Sequence, residues 1–206
     1  EVTVPTAAPN ATATNERTFK VTGVYDDGST ATVAVNWKIT TTPEPEGVSI
    51  DATTGKLTVT NKAKAGQVRV LATSAEGYTD AVIVTIKKNP AAASAIVATA
   101  PATGTNITIP NGGTNTSGQC SYTVYDQYGA EMTGSHATWK MKLEPATVTG
   151  VNLIAANGSI SVTSDATACK ATVYAESGTL KSNEITFNIA REASVATSLT
   201  IEGTID

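Results

Sequence analysis

The sequence predicts an all-β protein made of two copies of one unit. Three observations carry this. "GKLTVT" (55–60), "QVRVLA" (67–72) and "AVIVTI" (81–86) each put apolar residues on one face at period two, the pattern of a half-buried strand. Clusters of Gly, Asn, Asp and Pro punctuate these runs at short intervals. Shifted by 103 residues, the stretch from Val48 to Ile86 lies over Val151 to Ile189 without a gap. Gly55 then falls on Gly158, Leu57 on Ile160, Val59 on Val162, Val70 on Val173, Ala72 on Ala175 and Val84 on Phe187.

The elements follow in order. "VYDDGSTATVAVNW" (24–37) sets two acids and a glycine between alternating apolar runs, either a cation-binding loop or the turn of a hairpin. The repeat decides between them. The second copy reads "VYDQYGAEMTGSHATW" (124–139), which keeps Asp126 for Asp26 but has Gln127 for Asp27 and its glycine one place later, at Gly129. A Ca²⁺ site wants six to eight oxygens, and neither copy supplies a dense set of acids. A hairpin needs only a side-chain acceptor and a glycine able to take positive φ, so the stretch reads as a turn. Trp37 and Trp139 close the following strands and occupy matching places, which makes both core residues. "AAASAIVATA" (91–100) is rich in Ala, but Pro90 and Pro101 bracket it and β-branched residues interrupt it. It reads as a linker entering a strand. The expected organisation is a first domain over 1–89 and a second over 90–190. Residues 191–206 then hold a linker and the first strand of a third copy, because "ASVATSLTIEG" (193–203) echoes "ASAIVATAPATG" (93–104).

Bulk composition narrows the function classes. The chain has 206 residues, 40% hydrophobic, 5% aromatic and 16% charged, with a net charge of −4. That is a lean core of Val, Ile and Ala under a surface of Thr, Ser and Asn. With no basic stripe, nucleic acid is not an expected partner. No run approaches the ~20 apolar residues that cross a bilayer, so no membrane insertion is expected within this stretch. No charged-then-apolar leader opens it. The first residue is Glu1 and not Met, which sets the expectation of a processed fragment with any signal or anchor outside it. One histidine and two cysteines fall short of a tetrahedral metal site, and no nucleophile–base–acid cluster stands out. Neither metal, cofactor nor catalytic residue is expected.

"YDDGSTATVAVNW", "GVSIDATTGKLTV", "AGQVRVLATSAEG" and the closing "AVIVTI" together resemble the bacterial immunoglobulin-like group 2 domains. The first copy matches along nearly its whole length. The second departs where Cys169 replaces Gly66 and where Gln127-Tyr128 breaks the Asp-Gly pair. The resemblance implies two tandem immunoglobulin-like β-sandwich domains, with a tryptophan as the bulky core member of a central strand. It also implies a setting on a bacterial cell surface or in a secreted protein, where such domains act as spacers or in adhesins. It brings no fixed active site, and fold alone does not choose among these uses.

Cys120 precedes "YTVYD" and Cys169 precedes "ATVYA". Reading Tyr122 and Val124, and Ala171 and Val173, as inward turns both sulfurs toward the sandwich interior. An inter-sheet disulfide, common in immunoglobulin-like folds, is the expectation, with two buried free thiols as the alternative. Tyr128 has no counterpart in the first copy and sits in a loop, which makes it the aromatic to test for stacking on a sugar. His136 lies in the longer loop before Trp139; it is a second candidate ligand contact, or simply a solvated side chain. The leading functional expectation is a non-catalytic spacer whose partners are neighbouring domains of the same chain. The runner-up is an adhesive or carbohydrate-binding module, taking a surface protein or glycan on the loops 126–137 and 110–118 at one end of the second domain.

Overall fold

The computed structural model describes residues 1–191, and among these every regular element is a β-strand. The expected third copy, apart from Arg191, lies outside the described residues. The first repeat supplies β1 (Val2–Thr3), β2 (Thr14–Thr18), β3 (Thr22–Val24), β4 (Thr30–Thr32) and β5 (Val35–Ile39), followed by β6 (Val48–Ile50), β7 (Lys56–Thr60), β8 (Gly66–Ser74) and β9 (Thr79–Lys87). They form a sheet of order β1-β9-β8-β5, a second of order β2-β7-β6, and the hairpin β3-β4. With the hairpin β3-β4 left out and the other strands lettered in chain order, these are the CFG and BED sheets of the immunoglobulin fold, β1 adding a parallel edge through Val2↔Ile86. Alternation explains the packing. Leu57 and Val59 of β7 meet Val68 and Val70 of β8 and Val84 and Ile86 of β9 in one buried cluster, with Trp37 among them.

The second repeat supplies β10 (Ala93–Thr99), β11 (Asn106–Thr108), β12 (Thr114–Thr116), β13 (Ser121–Asp126) and β14 (Thr138–Glu144). After these come β15 (Val151–Ile154), β16 (Ser159–Thr163), β17 (Cys169–Ser177), β18 (Leu180–Lys181) and β19 (Ile185–Ala190). Its sheets have order β11-β19-β17-β14 and β12-β16-β15, while β10 pairs with β13. The register repeats as the sequence does. Trp37↔Ala72 becomes Trp139↔Ala175, Val48↔Val59 becomes Val151↔Val162, and Val70↔Val82 becomes Val173↔Ile185. A one-residue slip in any of these pairs would turn the apolar rows outward, so the shared pattern enforces the shared register.

The chain divides into two compact units whose membership is discontinuous. Unit one comprises Glu1–Ala95 together with Val124–Ser135; unit two comprises Ile96–Thr123 and, of the described residues, 136–191. A loop that belongs by sequence to the second repeat is thus built into the first unit.

One turn gives a pH prediction. Asp51 accepts the backbone N–H groups of Thr54 at 2.7 Å and Thr53 at 3.0 Å through Oδ1, closing the bend into β7. These hydrogen bonds, chiefly from Thr54, hold its carboxyl below the ordinary Asp value. A lowered folded pKa contributes stability above the unfolded value near 4, and that contribution is lost as pH falls through the folded pKa. Thermal melts between about pH 5 and pH 2 are expected to show a shallower acid loss in Asp51→Asn than in the parent. An equal loss in both would deny this turn its role.

Candidate functional site

The opening ambiguity resolves as a turn. Gly28 takes φ 79° and donates its N–H to the Tyr25 carbonyl, while Asp27 Oδ1 accepts the Ser29 N–H at 2.8 Å. The Ser29 side chain first, and this N–H after it, hold the Asp27 carboxyl below the ordinary Asp value. β3 and β4 pair on either side through Gly23↔Ala31. Among the described residues no group of three or more His, Cys, Asp or Glu side chains could hold a metal ion.

What the sequence did not flag is the surface beside this turn. Val21, Val24, Tyr25, Val33, Val35 and Tyr78 line an open groove of about 600 Å³ in unit one, with Asp26, Glu76 and Asp80 on its rim. Val24 is 76% exposed, Tyr25 50% and Tyr78 79%. Glu76 hydrogen-bonds its own backbone and Ser74, which holds its carboxyl ionised below the usual range. An apolar floor with two tyrosines and an acidic rim suits an extended apolar segment or a stacked ring bearing donors. Only the spacing of Tyr25 and Tyr78 across two different hairpins could have signalled it, and that spacing exists only after folding.

The matching turn of the second repeat is the opposite case, and it corrects the expectation of a solvent-facing Tyr128. That ring is 4% exposed and belongs to the hydrophobic core of unit one. Its hydroxyl donates to the Asn89 carbonyl at 3.1 Å and accepts the Asn89 N–H at 2.9 Å, and Lys88 Nζ lies 4.5 Å from the ring centre. Asn61 Nδ2 donates to the Tyr128 carbonyl at 2.7 Å, Gln127 exchanges hydrogen bonds with Pro90 and Ala92, and Asn10 Nδ2 donates to the Tyr125 hydroxyl. Buried Asp126 closes the turn by accepting the N–H groups of Tyr128 and Ala130. A ring so enclosed has no face left for a sugar. The loop 126–137 contributes to unit one as far as Ser135, whereas 110–118 lies in unit two, so the two loops expected to share an end belong to different units. His136 is exposed.

The expected disulfide is corrected as well: Cys120 and Cys169 are free thiols. Cys169 keeps the parity of Ala171 and Val173, whereas Cys120 precedes a strand whose burial does not alternate, and parity in any case fixes the face of a strand and not the level along it. A bond needs Cβ atoms about 4 Å apart. Cys169 opens β17 opposite Ile189 and is half-buried, while Cys120 is buried ahead of β13. Burial raises the pKa of both thiols. Under native conditions Cys169 is expected to alkylate several-fold faster than Cys120, read by mass spectrometry; equal rates would place the two in like surroundings.

No protein-family model and no curated protein sequence matches the chain. Among solved structures it is similar to human protocadherin-24 EC1-2 at 15% identity and a TM-score of 0.40, covering 78% of this chain and 83% of that one. Mouse cadherin-23 EC22-24 is similar at 13% identity and TM-score 0.39, with 92% and 62% covered. Surface layer protein SbsC, domains 4-9, is similar at 18% identity and TM-score 0.31, with 86% and 25% covered. At such scores these likenesses assign no function. The immunoglobulin arrangement rests on the strand order itself. Among the described residues no helix is long and apolar enough to cross a membrane.

Proposed function

We propose that the chain is a non-catalytic spacer of tandem immunoglobulin-like domains, 1–89 and 90–190, in a bacterial cell-surface or secreted protein. In this role its partners are neighbouring domains of the same chain, and it presents other modules away from a surface. The observation that supports this reading is the use of the second repeat's turn. Gln127 and Tyr128, by which the second copy's turn departs from the first, are consumed in hydrogen bonds and packing within the first unit. Loop chemistry available for recognition is spent on joining repeats. Titration of the chain against panels of polysaccharides, host glycans and surface proteins is expected to show no saturable binding.

A second reading, an adhesive or carbohydrate-binding module, is favoured by the exposed Tyr25 and Tyr78 beside the acidic-rimmed groove. Saturable binding to any panel member that Tyr78→Ala and Tyr25→Ala abolish would replace the spacer reading with this one.

A further inference from the structure

Both ends of the segment Val124–Ser135, which belongs to unit one, run on into unit two. Within the segment a hairpin is closed by Met132 N–H donating to the Val124 carbonyl and Asp126 N–H to the Ala130 carbonyl. Just beyond it, in unit two, the Tyr122 hydroxyl donates to the Ala137 carbonyl at 3.1 Å and accepts the Ala137 N–H at 2.9 Å. The Tyr122 ring packs on Trp139. The chain entering the hairpin and the chain leaving it are therefore pinned together by residues of unit two. A lone two-stranded hairpin is marginal in water, so this one takes its shape from the pin at its base.

The tip serves unit one. Ala7 N–H donates to the Gln127 carbonyl, Asn10 N–H to the Gly129 carbonyl and Asn10 Nδ2 to the Tyr125 hydroxyl, which fixes the segment between β1 and β2. Gln127 and Tyr128 hold the residues after β9 through Asn89, Pro90 and Ala92. Buried Asn61 ties the two together: its Oδ1 accepts the Ala13 N–H, and its Nδ2 donates to the carbonyls of Ala11 and Tyr128. Without the hairpin, unit one loses a ring from its core and leaves these groups short of protein partners. Unit two has no such dependence. Its described members, Ile96–Thr123 and 136–191, all come from the second repeat.

We infer that Val124–Ser135 is a one-way latch. The second repeat folds by its own means and thereby sets the hairpin, and the first repeat reaches its native state only on that hairpin. Unit one can therefore open while unit two stays folded, and the reverse does not occur. Settling runs against the chain: the repeat that comes first in sequence is completed second. This holds whether the chain is a spacer or a binding module.

Native-state hydrogen exchange, read separately over β8–β9 and over β17 and β19, tests the order with matched substitutions. Val70 and Val173 are fully buried and hold corresponding places in β8 and β17. Val70→Asp and Val173→Asp each bury a charge and unfold their own unit. Val70→Asp is expected to strip protection from β8–β9 and leave β17 and β19 protected by roughly 10³-fold or more. Val173→Asp is expected to strip both. A milder pair guards against aggregation. Val70→Ala is expected to speed exchange in both units by one factor, about tenfold, because β17 and β19 exchange only after unit one has opened. Val173→Ala is expected to speed β17 and β19 alone. Protected β8–β9 in Val173→Asp overturns the inference, and so does unprotected β17 in Val70→Asp. A Val173→Ala effect that reaches β8–β9, or a Val70→Ala effect confined to unit one, overturns it as well.

Discussion

Gly55→Ala and Gly158→Ala are each expected to lower stability by about 2–4 kcal/mol, among the larger effects any single methyl can have on this protein. Both glycines take positive φ, 69° and 66°, where a side chain is strained by itself. A Cβ at Gly55 would lie 2.7 Å from the Trp37 indole, and one at Gly158 would lie 2.6 Å from that of Trp139. Neither ring can retreat. Trp37 packs against Phe19 with ring centres 5.9 Å apart, and Trp139 against Tyr122 at 5.5 Å. Urea unfolding of the two variants measures the loss. A cost below about 1 kcal/mol would mean that the indole relaxes and that the close approach is incidental.

Tyr128→Ala is expected to cost about 3–5 kcal/mol, since it removes a buried ring from the core of unit one. Tyr128→Phe separates the contributions. The ring stays, but the Asn89 N–H and carbonyl lose their shared partner, for an expected cost of about 1–3 kcal/mol. The location of the loss is as informative as its size. The substitution lies in the second repeat by sequence, yet hydrogen exchange is expected to quicken in unit one, around Asn61 and Asn89. Faster exchange confined to β14–β17 would assign the ring to the other unit.

Most of the frame was legible in the sequence because it depends on local periodicity. The β7, β8 and β9 runs, the turn at Asp26–Gly28, the buried tryptophans and the glycine matched across repeats all follow from alternation and turn chemistry. Where the outcome depended on distance in space, the sequence was silent or misled. The alternation reads Cys120 and Cys169 as inward alike, but nothing local says whether they share a level. Tyr128 looked like a bare loop aromatic because its partners, Asn61, Lys88 and Asn89, lie some forty to seventy residues earlier. The groove beside Tyr25 and Tyr78 was invisible for the same reason: its walls come from two hairpins that meet only in the folded unit.

The turn that completes its predecessor also bears on how such a gene can change. Were the repeats self-sufficient beads, recombination could delete, duplicate or reorder them without penalty. Here the tip of one copy is fitted to the socket of the copy before it: Tyr128 to Lys88 and Asn89, with Gly129 under the Ala8 carbonyl. A crossover that set "YDDG" in place of "YDQYG" would bring two carboxylates and no ring to that socket. A crossover between these two copies would therefore have to carry turn and socket together, or leave a cavity where the Tyr128 ring now sits.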